Sequence, residues 1–190
     1  MLAEPIDEKH LTAVQPLTTR RLQLVPLGPE HLDQVWQGLH DPETLRLTGT
    51  RGEFERAAVQ THLGSIGARA DRADWALVLR DGGDYVGEVV LNELDDENAS
   101  MNFRIALVPG RPGHGYGTEA ARAVLDHAFD TMGVHRVYLD VFSFNPRAAR
   151  SYEKVGFQVE GRQRHTLCWD GEWVDSILMS ALASDPRPAP

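Results

Sequence analysis

A chain of 190 residues with 42% apolar and 25% charged residues is long enough for one sizeable core and excludes a disordered body. Its formal charge of -9 repels polyanions and excludes nucleic acid as an expected partner, although an acidic surface suits amines. Cys168 is the one cysteine, which excludes an internal disulfide framework. No apolar run has the length of a membrane span, and the first residues, with Glu4, Asp7 and Glu8, lack the apolar stretch of a signal peptide, so a cytoplasmic protein is expected.

Residues 1–16 are polar with little periodicity and residues 184–190 hold three prolines, so both ends read as flexible segments around a domain at 17–183. Residues 21–25 alternate polar and apolar as a half-buried strand does, and Pro26 to Pro29 break the pattern. A helix follows, with Leu32, Val35, Trp36 and Leu39 on one stripe, and Asp41-Pro42 reads as its stop. Residues 53–72 read as a second helix. Runs at 75–79, 85–94 and 99–108, punctuated by Asp81-Gly82-Gly83-Asp84 and Asp95-Asp96-Glu97-Asn98, predict a three-strand antiparallel meander. From Gly117 onward Ala121, Val124, Leu125, Ala128, Phe129 and Met132 share one helical face, and Gly133 sits where a helix ends. A strand at 136–142, a helix capped by Asn145-Pro146 and a closing hairpin around Asp170-Gly171 complete the order.

The segment that points to chemistry is the glycine-rich loop 108–120, which runs from a strand into the helix at 117. Backbone N–H groups at a helix start have no internal partner and carry the positive end of the dipole, so the loop suits a phosphate. A Walker loop is excluded because no lysine follows these glycines. Gly115-Tyr116-Gly117-Thr118-Glu119-Ala120 spells G-x-G-x-x-A and Asp140 lies near the place of a ribose-binding acid. However, residues 109–112 intervene between strand and loop, and too few residues follow for a doubly wound sheet.

The loop, read as Pro112-Gly113-His114-Gly115-Tyr116-Gly117, resembles motif A of the GNAT superfamily. Asn145-Pro146-Arg147-Ala148 with Tyr152-Glu153-Lys154-Val155-Gly156-Phe157 resembles its motif B. Thr19-Arg20-Arg21-Leu22-Gln23-Leu24 and the segment from Val159-Glu160-Gly161 to Asp175 are similar to the RimJ/RimL-like branch. The resemblance implies an α+β GNAT fold, one domain with a central, mixed, mostly antiparallel twisted sheet flanked by helices. It also implies an acetyl-CoA-dependent N-acetyltransferase acting on an amine, with no metal and, by analogy, a homodimer. The alternative is a non-catalytic acyl-CoA-binding module of the same fold.

The resemblance further implies that the pyrophosphate rests on backbone around His114, Gly115, Tyr116, Gly117 and Thr118, with Pro112 and Gly113 counted in the same cofactor-binding loop, and that pantetheine runs by Leu107 and Val108 to Asn145. Pro112 replaces the usual Gln or Arg of motif A and removes one N–H. Tyr152 matches the motif B tyrosine that serves as general acid to the leaving thiolate, although it also lies on an apolar helical face. The usual glutamate position of the preceding strand is Asn102, which cannot act as base. Glu88 and Asp175 are the carboxylate candidates, and Ser143 is a hydrogen-bond donor expected near the cleft. Cys168 has no paired histidine, and the histidine spacing suggests no zinc site.

Overall fold

The structure is a computed structural model that describes residues 6, 11, 13–111 and 113–188. Among the described residues eight strands form one mixed sheet in the order β1-β2-β3-β4-β5-β6-β8-β7. They are β1 (Leu17–Thr18), β2 (Leu22–Pro26), β3 (Ala73–Leu79), β4 (Tyr85–Asp95), β5 (Ser100–Leu107), β6 (Arg136–Phe142), β7 (Gln158–Trp169) and β8 (Glu172–Leu182). The meander β3-β4-β5 is antiparallel, as the turn residues predict, and Gly82 and Gly83 supply the positive φ of its first turn. The β5–β6 pairing is parallel, because the chain crosses over through a helix before returning to the sheet.

Five helices flank the sheet among the described residues: α1 (Leu32–Gly38), α2 (Pro42–Thr48), α3 (Arg56–Ile66), α4 (Tyr116–Asp130) and α5 (Pro146–Glu153). A 3-10 turn at Pro29–His31 precedes α1. The helix α2 and the short strand β1 are additions to the elements read from the sequence. Asp41-Pro42, expected to stop a helix, starts one: Asp41 Oδ1 accepts the Thr44 backbone N–H at 2.7 Å and Pro42 occupies the first turn. The helix expected over 53–72 is shorter, because Gly67 caps it.

One face of the sheet packs on α4, whose Ala120, Ala121, Val124, Leu125 and Ala128 are buried against Leu24, Trp75, Leu91 and Met101. Each fully buried Leu or Val contributes about 1.5–3 kcal/mol through removal of apolar surface from water. The other face packs Ala76 and Leu27 under Val59, Leu63 and Ile66 of α3, with Val35 and Trp36 of α1 and the capping Leu39 beside them. The described parts of the two ends are attached to this body. Ile6 and Leu11 are buried in the main core, and Arg187 ion-pairs with Asp126 and Asp130 on α4. No described helix is long and apolar enough to cross a membrane.

Candidate active site

The parallel pairing of β5 and β6 runs through three positions only, Ser100 with Arg136, Met101 with Val137 and Asn102 with Tyr138. Beyond Asn102 the two strands diverge, while β5 stays paired to β4 as far as Leu107 and β6 stays paired to β8 as far as Phe142. The sheet therefore opens into a wedge, and backbone groups on the inner edge of β5 lose their strand partner. A cavity of about 630 Å³ fills the wedge, lined by β5 from Asn102 to Leu107, β6 from Tyr138 to Phe142, and α5.

The glycine loop closes one end of this cavity. Gly113, Gly115, Gly117 and Thr118 line it, whereas His114 and Tyr116 lie outside its lining and stack on one another at 5.8 Å. Gly115, the N-cap of α4, has φ of +82° and no side-chain cap, so the first-turn amides keep their donors free. The expectation at Pro112 lies outside the described residues.

A brace that the sequence did not disclose holds the loop. Glu119, in the first turn of α4, accepts from Thr19 Oγ1 at 2.6 Å and from the Arg21 amide and Nε at 2.7 Å each. Arg21 also donates to the His114 carbonyl at 2.9 Å and lies 4.7 Å from the Tyr116 ring centroid. Burial alone would raise the Glu119 carboxyl, yet the hydrogen bonds from Thr19 and Arg21 outweigh it and hold the group below its ordinary value. The Thr19 and Arg21 side of β2 was legible only as part of a family resemblance.

Tyr152 projects from α5 into the same cavity. Its ring packs edge-on against Phe103 at 5.9 Å and Phe157 at 5.7 Å, and no described residue hydrogen-bonds its hydroxyl. Burial, followed by the nearby Asp140 charge, pushes the phenol well above its usual range, so it stays protonated at neutral pH. Asn145 lines the cavity as well, with Oδ1 turned back to cap α5 by accepting from the Ala148 amide at 3.1 Å. Arg147, Arg150 and Lys154 add positive charge along the α5 wall.

A second cavity, of about 370 Å³, adjoins the first across Arg104 to Leu107 and is roofed by α1 and α2. Glu88 lies here and not in the wedge, with Oε2 accepting from Tyr85 Oη at 3.1 Å. Burial pushes the Glu88 carboxyl up, against the smaller downward pull of the Tyr85 hydrogen bond. The register explains the placement: Glu88 faces Ala106, Val90 faces Arg104 and Asn92 faces Asn102, so alternate residues of β4 and β5 present one common face to α1 and α2.

Three expectations change. Val108 does not face the wedge; its N–H donates to the Val86 carbonyl at 3.1 Å, and strand alternation then turns the Leu107 amide to the open edge. Ser143 is exposed and outside both cavity linings, its amide bonded to the Asp175 carbonyl at 2.9 Å because it continues the β6–β8 ladder. Asp175 is likewise remote, engaged by Arg162 and the His165 amide on the terminal hairpin.

Residues 21–158 match the family described as Acetyltransferase (GNAT) domain, a span that includes the wedge, the glycine loop and Tyr152. The chain belongs to the GNAT acetyltransferase family. Among its relatives, the spermidine N(1)-acetyltransferase of Escherichia coli is 30% identical over 109 residues, 57% of this chain and 59% of that protein. The matched region thus spans about three fifths of the relative's length. An uncharacterized N-acetyltransferase of Bacillus subtilis is 27% identical over 172 residues, covering 89% of this chain and 98% of its own. The spermidine N-acetyltransferase of Vibrio cholerae, solved in complex with CoA and spermine, superposes with a TM-score of 0.82 at 21% identity over 87% of this chain and 98% of that one. At that identity the likeness is one of fold, and it extends the GNAT architecture to nearly the whole sheet.

Proposed function

We propose that this GNAT chain transfers an acetyl group from acetyl-CoA to a primary amine by direct attack within a ternary complex. One observation carries the reading: the β5–β6 wedge ends on uncapped helix amides at one side and on the Tyr152 hydroxyl within it. The residues present fit the cofactor. The amides of the N-cap Gly115 and of first-turn Tyr116, Gly117 and Thr118 of α4 are donors for a diphosphate, and Arg147, Arg150 and Lys154 add cations along the same cavity. The side chain of Asn145 is left for the pantetheine arm.

When bound, acetyl-CoA supplies an activated thioester. The Leu107 amide is the donor available to polarise a carbonyl held against β5. Tyr152, kept protonated by burial, holds the proton that the departing sulfur takes up. A lysine-like amine with a pKa near ~10.4 needs about 4–5 kcal/mol to become neutral at pH 7, and Glu88, in the adjoining cavity, is the carboxylate that accepts its proton directly or through water. Val108 and Ser143 have no part in this arrangement. The RimJ/RimL-like branch, supported by the Thr19 to Leu24 segment, and a cytoplasmic setting, supported by the single cysteine, belong to the same proposal, as does a homodimer by analogy with the fold.

Titration calorimetry with acetyl-CoA, and with NAD as control, tests the reading, followed by thiol release on an amine panel. Binding of acetyl-CoA alone with amine-dependent thiol release supports it. Binding without turnover on any amine favours the non-catalytic module, and absence of acetyl-CoA binding overturns both.

A further inference from the structure

The second cavity has a charge pattern ill suited to a polycation. Glu88 is the one acidic side chain lining it among the described residues. Arg72 lines it too, but is neutralised by a two-point ion pair to Asp74 at 2.7 and 2.6 Å. Arg104 remains. It lines both cavities where they meet, has no carboxylate at ion-pair distance among the described residues, and donates to the Thr48 carbonyl at 3.4 Å. A molecule with several ammonium groups needs several carboxylates, and this cavity offers one carboxylate beside an uncompensated guanidinium.

Unpaired acceptors complete the pattern. Asn92 Oδ1 and Gln34 Oε1, on opposite walls of the cavity, are buried without a hydrogen-bond partner. Such oxygens are destabilising unless an N–H donor reaches them. The cavity wall thus holds unsatisfied oxygens closed to solvent, while its open space offers Glu88 for a nitrogen and one planar two-point donor for an anion, within about 370 Å³.

We propose that the acceptor is a compact primary amine that also carries a carboxylate, an amino acid in its simplest form, with Arg104 as the carboxylate-binding residue. The inference rests on the acetyl-transfer reading above and narrows its acceptor. It separates this chain from its relatives named as spermidine acetyltransferases. The transfer forms an N–C amide bond and breaks the thioester C–S bond. The ammonium loses two protons, one accounted for on the CoA thiol and one released to solvent through Glu88.

The test compares kcat/KM for the standard amino acids, each beside its carboxamide, and for spermidine, in the wild type and in Arg104→Gln. Expected is a preference for at least one amino acid over its carboxamide and over spermidine of about tenfold or more. Arg104→Gln should collapse the amino acid to carboxamide ratio by a similar factor. The ratio is the readout because Arg104 also acts on the nearby Tyr152 phenol, and a general loss of rate cancels in it. Spermidine turned over as well as or better than every amino acid, or a ratio unchanged by the substitution, overturns the proposal while leaving acetyl transfer standing. Acetyl-CoA binding without acetylation of any amine overturns the transfer reading itself, and this narrowing with it.

Discussion

The carboxylate of Glu119 reaches back from the first turn of α4 to grip Arg21 at two atoms, the backbone amide and Nε, each at 2.7 Å. With Thr19 as a third donor, this joins β2 to the glycine loop, which has no side-chain cap of its own.

Glu119→Gln should therefore weaken acetyl-CoA binding and lower stability by about 1–3 kcal/mol, the range for charge-assisted hydrogen bonds in partly buried settings. The sign with pH follows from its depressed folded pKa. The contribution is fully present above the unfolded carboxylate value and is lost as pH falls through the folded one. Urea melts of the wild type from neutral pH into the acid range should show this slope, and the same series on Glu119→Gln should have it reduced.

Tyr152→Phe should lower kcat by about a hundredfold or more, as expected for loss of a general acid. Acetyl-CoA affinity and melting temperature should change little, because the ring contacts with Phe103 and Phe157 survive and the lost hydroxyl has no partner among the described residues. Unchanged turnover would remove Tyr152 from the chemistry.

Glu88→Gln should abolish the acid limb of the kcat/KM profile. In the wild type that limb lies above the ordinary carboxylate range, since burial raises Glu88. The same shift predicts that the variant is more stable near neutral pH: a carboxyl raised on folding destabilises the native state as pH rises from the unfolded value through the folded one, and glutamine is never charged. Paired melts and pH–rate profiles separate the two effects.

Gly87→Ala should disturb the working edge of β5 from behind. Gly87 has φ of +152°, and a Cβ there would stand 2.2 Å from the Ala106 carbonyl oxygen and 2.9 Å from Leu107 Cα. Both atoms are backbone, so the strand itself has to move. A loss of about 1–3 kcal/mol or more, with weaker acetyl-CoA binding, is expected by denaturant titration and calorimetry.

The parts of the site written in local chemistry were readable without a structure. Gly115 and Asn145 sit at helix starts, and both the loop and the α5 cap announce themselves within a few residues. Asp41-Pro42 misled because the same pair can end one helix and begin the next, and only the Thr44 bond decides. Glu88, Asn92 and Arg104 become neighbours through the β4–β5 register, which no single strand encodes. Val108 and Leu107 differ by one residue, and which of their amides is free depends on the Val86 partner from another strand.

The three-position seam between β5 and β6 also has a mechanical meaning. It divides the sheet into two well-knit plates, β1 to β5 and β6 with β8 and β7, that share few backbone bonds. Whatever wedges into the gap rivets one plate to the other, so occupancy and cohesion of the native state rise together, by about 2.7 kcal/mol at a hundredfold excess over the dissociation constant. The joint with the fewest backbone bonds is the one that acetyl-CoA, in the function proposed above, is placed to fasten.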